Sequence, residues 1–389
     1  MTDSYATQEK TVAEFFAGIG LMRMGLEKAG WKVVWANDIA EDKEKIYKGH
    51  YRDDDAHFSL ADVHQLSAKE IPDITLATAS FPCTDLSLAG GRAGLSGEGS
   101  GAFWGFIKAI KGMGVRRPPM VLLENVTGFL TSRDGNDFRD ACLALNDLGY
   151  STDALIIDAA HFVPQSRQRM FVIGVKDNRP LRICETPGFY GGYCRPPALA
   201  DFILWHPEIR WNIRNIPALP KANHYLHEIV EDVPLNSSYW WSRERAEYLL
   251  SQMSEKHKAV AQAMIAGKDI SYGTVFRRVR NERSMAELRS DGTAGCLRTP
   301  RGGSGRQILF VAGKNRYGVR LLTPRECARL MGAPNYRLAS KISLNQALFG
   351  FGDAVCVPVV QWIADHYLNA VYEELYEPQK ISHCQRQVK

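Results

Sequence analysis

The sequence predicts an α/β protein: an open parallel sheet with helices on its faces, joined by a smaller, irregular domain. Three observations carry this. Residues 11–175 alternate short apolar runs, rich in branched residues, with helix-like stretches. From about 180 to 318 the texture changes, with Pro196-Pro197, Trp240-Trp241 and Gly302-Gly303 among many Pro, Gly, Trp and Arg residues. Regular structure resumes at Leu321. The expected division is therefore 1–180, 181–318 and 319–380, the last part returning to the first domain.

The predicted strands are Val12–Phe16, Lys32–Ala36, Ile74–Ala79, Met120–Leu123, Ser151–Ile157 and Met170–Val175. Near the end, Pro358 opens a helix whose apolar residues Val359, Ile363, Tyr367, Val371 and Leu375 recur every four positions, a stripe that must pack on something. In such sheets ligands bind at the carboxyl ends of the strands, so chemistry-bearing residues there are the ones to weigh.

The chain has 389 residues, 45% hydrophobic and 23% charged, enough to bury a sizeable core and unlike a disordered or fibrous protein. No run approaches the roughly 18 apolar residues of a membrane span, and Met-Thr-Asp-Ser-Tyr lacks the pattern of an export signal. A cytoplasmic protein is expected. Its eight cysteines are scattered, with no Cys/His spacing of a zinc site, so no metal is expected and the thiols should be reduced. Charge is uneven: residues 271–320 hold eleven Lys/Arg against three Asp/Glu, although the whole chain is only +5. A polyanion partner is one explanation and a solvated basic loop the other.

Four motifs fall at predicted strand ends. Phe15-Phe16-Ala17-Gly18-Ile19-Gly20 runs a strand into a glycine turn, and Asp38 ends the next strand, where a carboxylate meets ribose hydroxyls in adenosine-type sites. Arg23 stands where the dinucleotide fingerprint has its third glycine, against a nicotinamide cofactor; a plain tight turn would look similar. Ala79-Ser80-Phe81-Pro82-Cys83-Thr84 puts a cysteine just past a strand, before a glycine-rich stretch from Gly90 to Gly101 that could close as a lid. Cys83 is then a nucleophile or a buried structural thiol. Glu124-Asn125-Val126 ends another strand; Glu124 is a proton donor whose pKa desolvation would raise, or an acid at a helix start. Last, Gln165-Ser166-Arg167-Gln168-Arg169 enters a strand on which Arg167 and Arg169 would share a face, as an anion clamp or an ordinary basic edge.

An adenosine cofactor, a thiol, a proton donor and an anion clamp are the set that methylation of carbon 5 of cytosine needs. In order and wording too, the chain resembles the cytosine-5 DNA methyltransferases over nearly its whole length. Its later segments Arg320-Leu-Leu-Thr-Pro-Arg-Glu-Cys-Ala-Arg-Leu-Met-Gly332 and Gly352-Asp353-Ala354-Val355, with Pro358, are similar to the family's last motifs. The resemblance implies a Rossmann-like, S-adenosylmethionine-dependent methyltransferase sheet with a target-recognition domain, acting on a cytosine flipped out of double-stranded DNA.

It further implies that Cys83 adds to carbon 6, Glu124 contacts ring nitrogen 3, Arg167 and Arg169 hold the cytosine and its phosphate, and Asn125 supports the loop. Phe16, Gly18, Gly20, Asp38, Ile39, Asp62, Pro82 and Val355 would line the cofactor pocket. The segment from Gly292 to Gly303 is similar to one seen in such recognition domains, and Arg298, Arg301 and Arg306 are the expected DNA readers. A monomer, associated with the nucleoid through DNA and working separately from any companion restriction endonuclease, is expected. Glu14 in place of Asp, Leu21 in place of Gly and Asp353 in place of Asn depart from the family pattern. Competing readings are a transfer-RNA cytosine methyltransferase, a catalytically silent DNA-binding relative and a nicotinamide oxidoreductase, which leaves Pro82-Cys83 unexplained.

Overall fold

The computed structural model of the chain describes residues 9–52, 55–82, 95, 97, 101–176, 194–234, 236–280, 283–299, 306–338 and 342–376. The first domain is built from β1 (Thr11–Phe15), α1 (Leu21–Lys28), β2 (Lys32–Asp38), α2 (Glu41–Tyr51), β3 (Phe58–Leu60), β4 (Leu76–Ala79), α3 (Ala102–Gly112), β5 (Met120–Val126), α4 (Asn136–Asp147), β6 (Ser151–Asp158) and β7 (Gln168–Val175). These strands form one sheet in the order β3-β2-β1-β4-β5-β7-β6. All six predicted strands are present; the short β3 escapes a periodicity search because three residues hold too little pattern.

The sheet is parallel except at one strand. β7 is antiparallel to both β5 and β6, while the other pairs are parallel. Only residues 159–167 separate β6 from β7, too few for the helical crossover that parallel neighbours require.

Two apolar layers sandwich the sheet. On one face Phe15, Ala77, Phe103, Phe106, Val121 and Leu145 pack together, with Phe15 and Phe106 edge to face at 5.0 Å. On the other face the C-terminal stripe finds its partner. α10 (Val357–Ile363), a π turn (Ala364–Leu368) and α11 (Asn369–Tyr376) bury Val359, Ile363, Tyr367 and Val371 against α1 and the sheet. Gly25 permits this approach, since a Cβ there would lie 2.6 Å from that of Val360. The apolar character of this stretch is thus accounted for by the core it fills.

The second unit is an antiparallel sheet in the order β11-β10-β8-β9, with β8 (Ser271–Arg280), β9 (Arg283–Arg289), β10 (Ile308–Gly313) and β11 (Arg316–Leu321). Its own core joins Val275, Ala286, Phe310 and Val319 to Leu249 of α6 (Arg243–Ser251) and Ala261 of α7 (Glu255–Ala266). Part of the segment expected to belong to the recognition domain packs in the first core. α5 (Pro197–Trp205), Ile209, Trp211 and Ile213 belong to the first core, and Arg195 is ion-paired at 2.7 Å with the fully buried Asp153 of β6. Where the second unit rejoins the first, Arg320 and Glu326 form a fully buried pair at 2.6 Å. Glu326 also closes the capping box with Thr323 at the start of α8 (Pro324–Leu330).

Candidate active site

The strand order reverses direction between β1 and β4, and the parallel β1, β2, β4 and β5 end at one edge of the sheet there. At the end of β1 the chain turns through Phe16 (φ 55°), Gly18 (φ 57°) and Gly20 (φ 78°), left-handed conformations that glycine adopts without strain. Asp38 closes this turn: one carboxylate oxygen accepts from the Gly18 amide at 2.8 Å, and the other from the Ala40 amide at 2.9 Å. Among the described residues the space beside Gly18 is open, with only the Phe16 carbonyl 4.0 Å from where a Cβ would sit. Ile39, although apolar, is 68% exposed beside this opening in sequence, and Asp62 caps the next turn by accepting from the His64 amide. Arg23, at the third fingerprint position, is buried and occupied by Glu27 at 2.7 Å, Tyr47 and His57. No close helix-to-pyrophosphate packing is left there.

Beneath the turn lies Glu14. It is buried, one oxygen accepts from the Arg23 amide, and the other has no partner among the described residues. Burial pushes its pKa up to about 8, against the pull of Arg23.

The second half of the site sits on β5 and β7. Glu124 is buried and its Oε1 lies 3.2 Å from Arg169 Nε, across a register that pairs Val126 with Arg169. Asn125 donates its side-chain amide to the Phe81 carbonyl at 3.1 Å, so the chain leaving β4 is held two residues before Cys83. Pro82 is exposed. Cys83 and most of the glycine-rich segment from Gly90 to Gly101 lie outside the described residues, as does Arg301.

Arg167 departs from expectation. β7 begins at Gln168, so Arg167 precedes the strand and the alternation that would put it beside Arg169 does not apply. Its guanidinium is buried and donates to the carbonyls of Leu297, Gly352 and Ala354 and to Cys296 Sγ. It staples three segments together instead of presenting an open clamp. Val355 lies nearby, buried and lining a small cavity with Arg167 and Arg169.

Gln165 does similar work: its amide donates to the Leu330 carbonyl at 2.8 Å and accepts from the Leu297 amide at 2.9 Å. The segment following Gly292 is thereby docked on the first domain. Arg298 at its end is exposed, whereas Arg306 is held by Asn345 at 2.9 Å. Sequence reasoning missed Cys296. Its thiol sits among Arg167, Arg169 and Arg298, whose charges outweigh burial and lower its pKa. Only the docked backbone reveals this, because nothing in the spacing brings residues 167 and 296 together.

The sequence profile of the C-5 cytosine-specific DNA methylase matches residues 10–369. The chain belongs to that family. The methylase is 23% identical over 363 residues to the Type II methyltransferase M.Bsp6I of Bacillus sp. (strain RFL6), covering 92% of this chain and 99% of the relative. It is 29% identical over 396 residues to the DNA-cytosine methyltransferase of Escherichia coli (strain K12), covering 90% and 76%. Its fold is similar to that of the S. pombe Dnmt2 methyltransferase, with a TM-score of 0.61 at 18% identity over 95% of this chain and 99% of that one. The methylase is thus an enzyme with the Rossmann-like sheet of its class, and its reaction draws on a methyl donor.

Proposed function

We propose that this methylase modifies carbon 5 of a cytosine flipped out of double-stranded DNA, within a specific sequence, using S-adenosylmethionine. The observation that carries the reading is the Glu124–Arg169 pair at the sheet's carboxyl edge, beside the Phe81 carbonyl that Asn125 fixes just before Cys83. Carbon 5 is a poor nucleophile until a thiolate bonds to carbon 6. Cys83 makes that bond while Glu124 hydrogen-bonds ring nitrogen 3, where the electron pair displaced by the addition arrives. Arg169 orients Glu124. Carbon 5, made electron-rich by that addition, would bond to the methyl group that the cofactor supplies; loss of the carbon 5 proton to water then expels the Cys83 thiolate and restores the ring.

The cofactor residues fit. The left-handed turn leaves open space beside Gly18, Asp38 retains lone pairs for ribose hydroxyls, and the exposed Ile39 offers an apolar face to a base. Asp62, Phe16, Gly20 and Pro82 complete the rim, and S-adenosylmethionine bound there supplies an electrophilic methyl group. The enzyme acts as a monomer, apart from any restriction endonuclease; the Type II names of its relatives support that setting.

The test is expression in a methylation-free host with genome-wide mapping of 5-methylcytosine, alongside Cys83→Ala. A single methylated motif, lost in the variant, and covalent trapping of the wild type by DNA carrying 5-fluorocytosine are expected. Normal methylation by Cys83→Ala would refute the mechanism.

A further inference from the structure

Asp353 stands where the family pattern has Asn, and its two carboxylate oxygens face opposite ways. Oδ2 lies 3.2 Å from Lys43 Nζ in the first turn of α2, and Oδ1 accepts from the Thr299 hydroxyl. Lys43 lies in the first turn of the helix that follows Asp38; burial opposes its charge, but Asp38 and Asp353 together hold its pKa above the ordinary lysine value. Thr299 lies in the segment docked by Gln165 and Arg167, one residue past the exposed Arg298 and just before the glycine-rich stretch 300–305.

The backbones are in contact as well. A Cβ on Gly352 would lie 2.8 Å from the Arg298 carbonyl carbon and 2.9 Å from the Thr299 amide nitrogen. α9 (Leu344–Asp353) is also fixed to α2 through Gln346 and Asp42 at 2.8 Å. A carboxylate can accept from an ammonium and a hydroxyl at once and carries the charge that attracts the first. An Asn has one acceptor oxygen and no charge.

We infer that Lys43, Asp353 and Thr299 form a positioning relay through which a ligand at Asp38 sets the loop that meets DNA, so that cofactor and DNA bind with positive coupling. The inference rests on the cofactor reading above. Ribose hydroxyls bonded to Asp38 draw its charge away from Lys43. Lys43 then leans more on Asp353, and the carboxylate is fixed in the orientation that holds Thr299. Linkage makes the effect reciprocal: DNA must tighten the cofactor by the same factor. None of the three residues touches a reacting atom.

The test measures the dissociation constant of the duplex by anisotropy with and without saturating S-adenosylhomocysteine, and that of S-adenosylhomocysteine by calorimetry with and without the duplex. In the wild type each ligand should tighten the other by about fivefold or more, equally from both sides. Lys43→Met, Asp353→Asn and Thr299→Val should each bring the factor near one, and the Lys43→Met/Thr299→Val double variant should lose no more than either single. Lys43→Arg should keep most of it, a rescue that a merely structural role would not require. Thermal unfolding identifies any variant that fails to fold, and the remaining variants decide. Coupling that persists in the folded variants, or is absent from the wild type, overturns the relay. If S-adenosylhomocysteine does not bind the wild type, the cofactor reading falls and the relay with it.

Discussion

Glu124 and Arg169 sit on adjacent antiparallel strands with Oε1 and Nε 3.2 Å apart, both largely buried. In that position the guanidinium fixes the direction of the carboxyl group and offsets negative charge on it. Glu124→Gln keeps the shape but cannot give up a proton, so single-turnover methylation should fall by about 10²- to 10⁴-fold while duplex affinity changes by only a few-fold. Arg169→Lys, which loses the planar fork, should lower the rate and weaken retention of the flipped base together. Rapid-quench assays with anisotropy separate the two, and a Glu124→Gln enzyme of normal rate would remove Glu124 from the chemistry.

Glu14 makes stability depend on pH. Its pKa is raised from 4.5 to about 8 in the fold, so the folded state favours the protonated form. Stability from this group is complete below about pH 4.5 and is lost as pH rises toward 8, the reverse of a salt-bridged carboxylate. At pH 7 the cost is about 3 kcal/mol relative to a neutral side chain, at roughly 1.4 kcal/mol per pH unit. Glu14→Gln should therefore melt above the wild type at pH 8 and approach it at pH 5. Melting curves that stay parallel over this range would show that Glu14 is not the group responsible.

Arg320 and Glu326 are both fully buried, and Glu326 accepts in addition from the Thr323 and Glu231 amides. Removing one partner leaves an uncompensated charge in the core. Glu326→Gln is expected to cost about 3–5 kcal/mol, more than any exposed pair in the chain. Denaturant titration checks this; a loss below 1 kcal/mol would mean that water reaches Arg320.

The elements that were legible in the sequence are those whose signal is local. The strand before the glycine turn, the Pro358 helix with its four-residue stripe, and Glu124 and Asn125 at a strand end all follow from periodicity and turn chemistry. What escaped depends on contacts made across the chain. Arg167 reads as a clamp from spacing alone, yet it lies before its strand and bonds carbonyls of residues 297, 352 and 354. The antiparallel β7 follows from a connection length, which motif reading does not weigh. Residues 194–219 read as part of the irregular domain because their composition is irregular, but Trp211 and Ile213 complete the first core. Lys43 looks like an ordinary surface charge until the fold pairs it with Asp353.

The basic segment has a defined shape. β8 and β9 form a hairpin whose register sets Arg277 opposite Ala286 and Val279 opposite Ser284. Val279 near its tip is 67% exposed. Arg278 differs from its neighbours, because it pairs with Glu287 at 2.9 Å and lies over the Phe276 ring. Among the described residues, Arg277 and Arg283 have no ion-pair partner, so they are available to phosphates. Each contact with duplex DNA contributes a slope of about −0.9 in log affinity against log salt. Arg277→Ala and Arg283→Ala should each weaken binding to every sequence and flatten that slope by about one, while Arg278→Ala should leave it nearly unchanged. Arg298→Ala, at the exposed end of the docked segment, should instead cost about 1–3 kcal/mol on the cognate site only, the signature of a base reader. Arg306→Ala should disturb α9 through Asn345 and leave sequence preference intact. If Arg277 and Arg283 prove as silent as Arg278, the hairpin is a solvated surface, and the salt dependence must come from the remaining basic residues between 289 and 320.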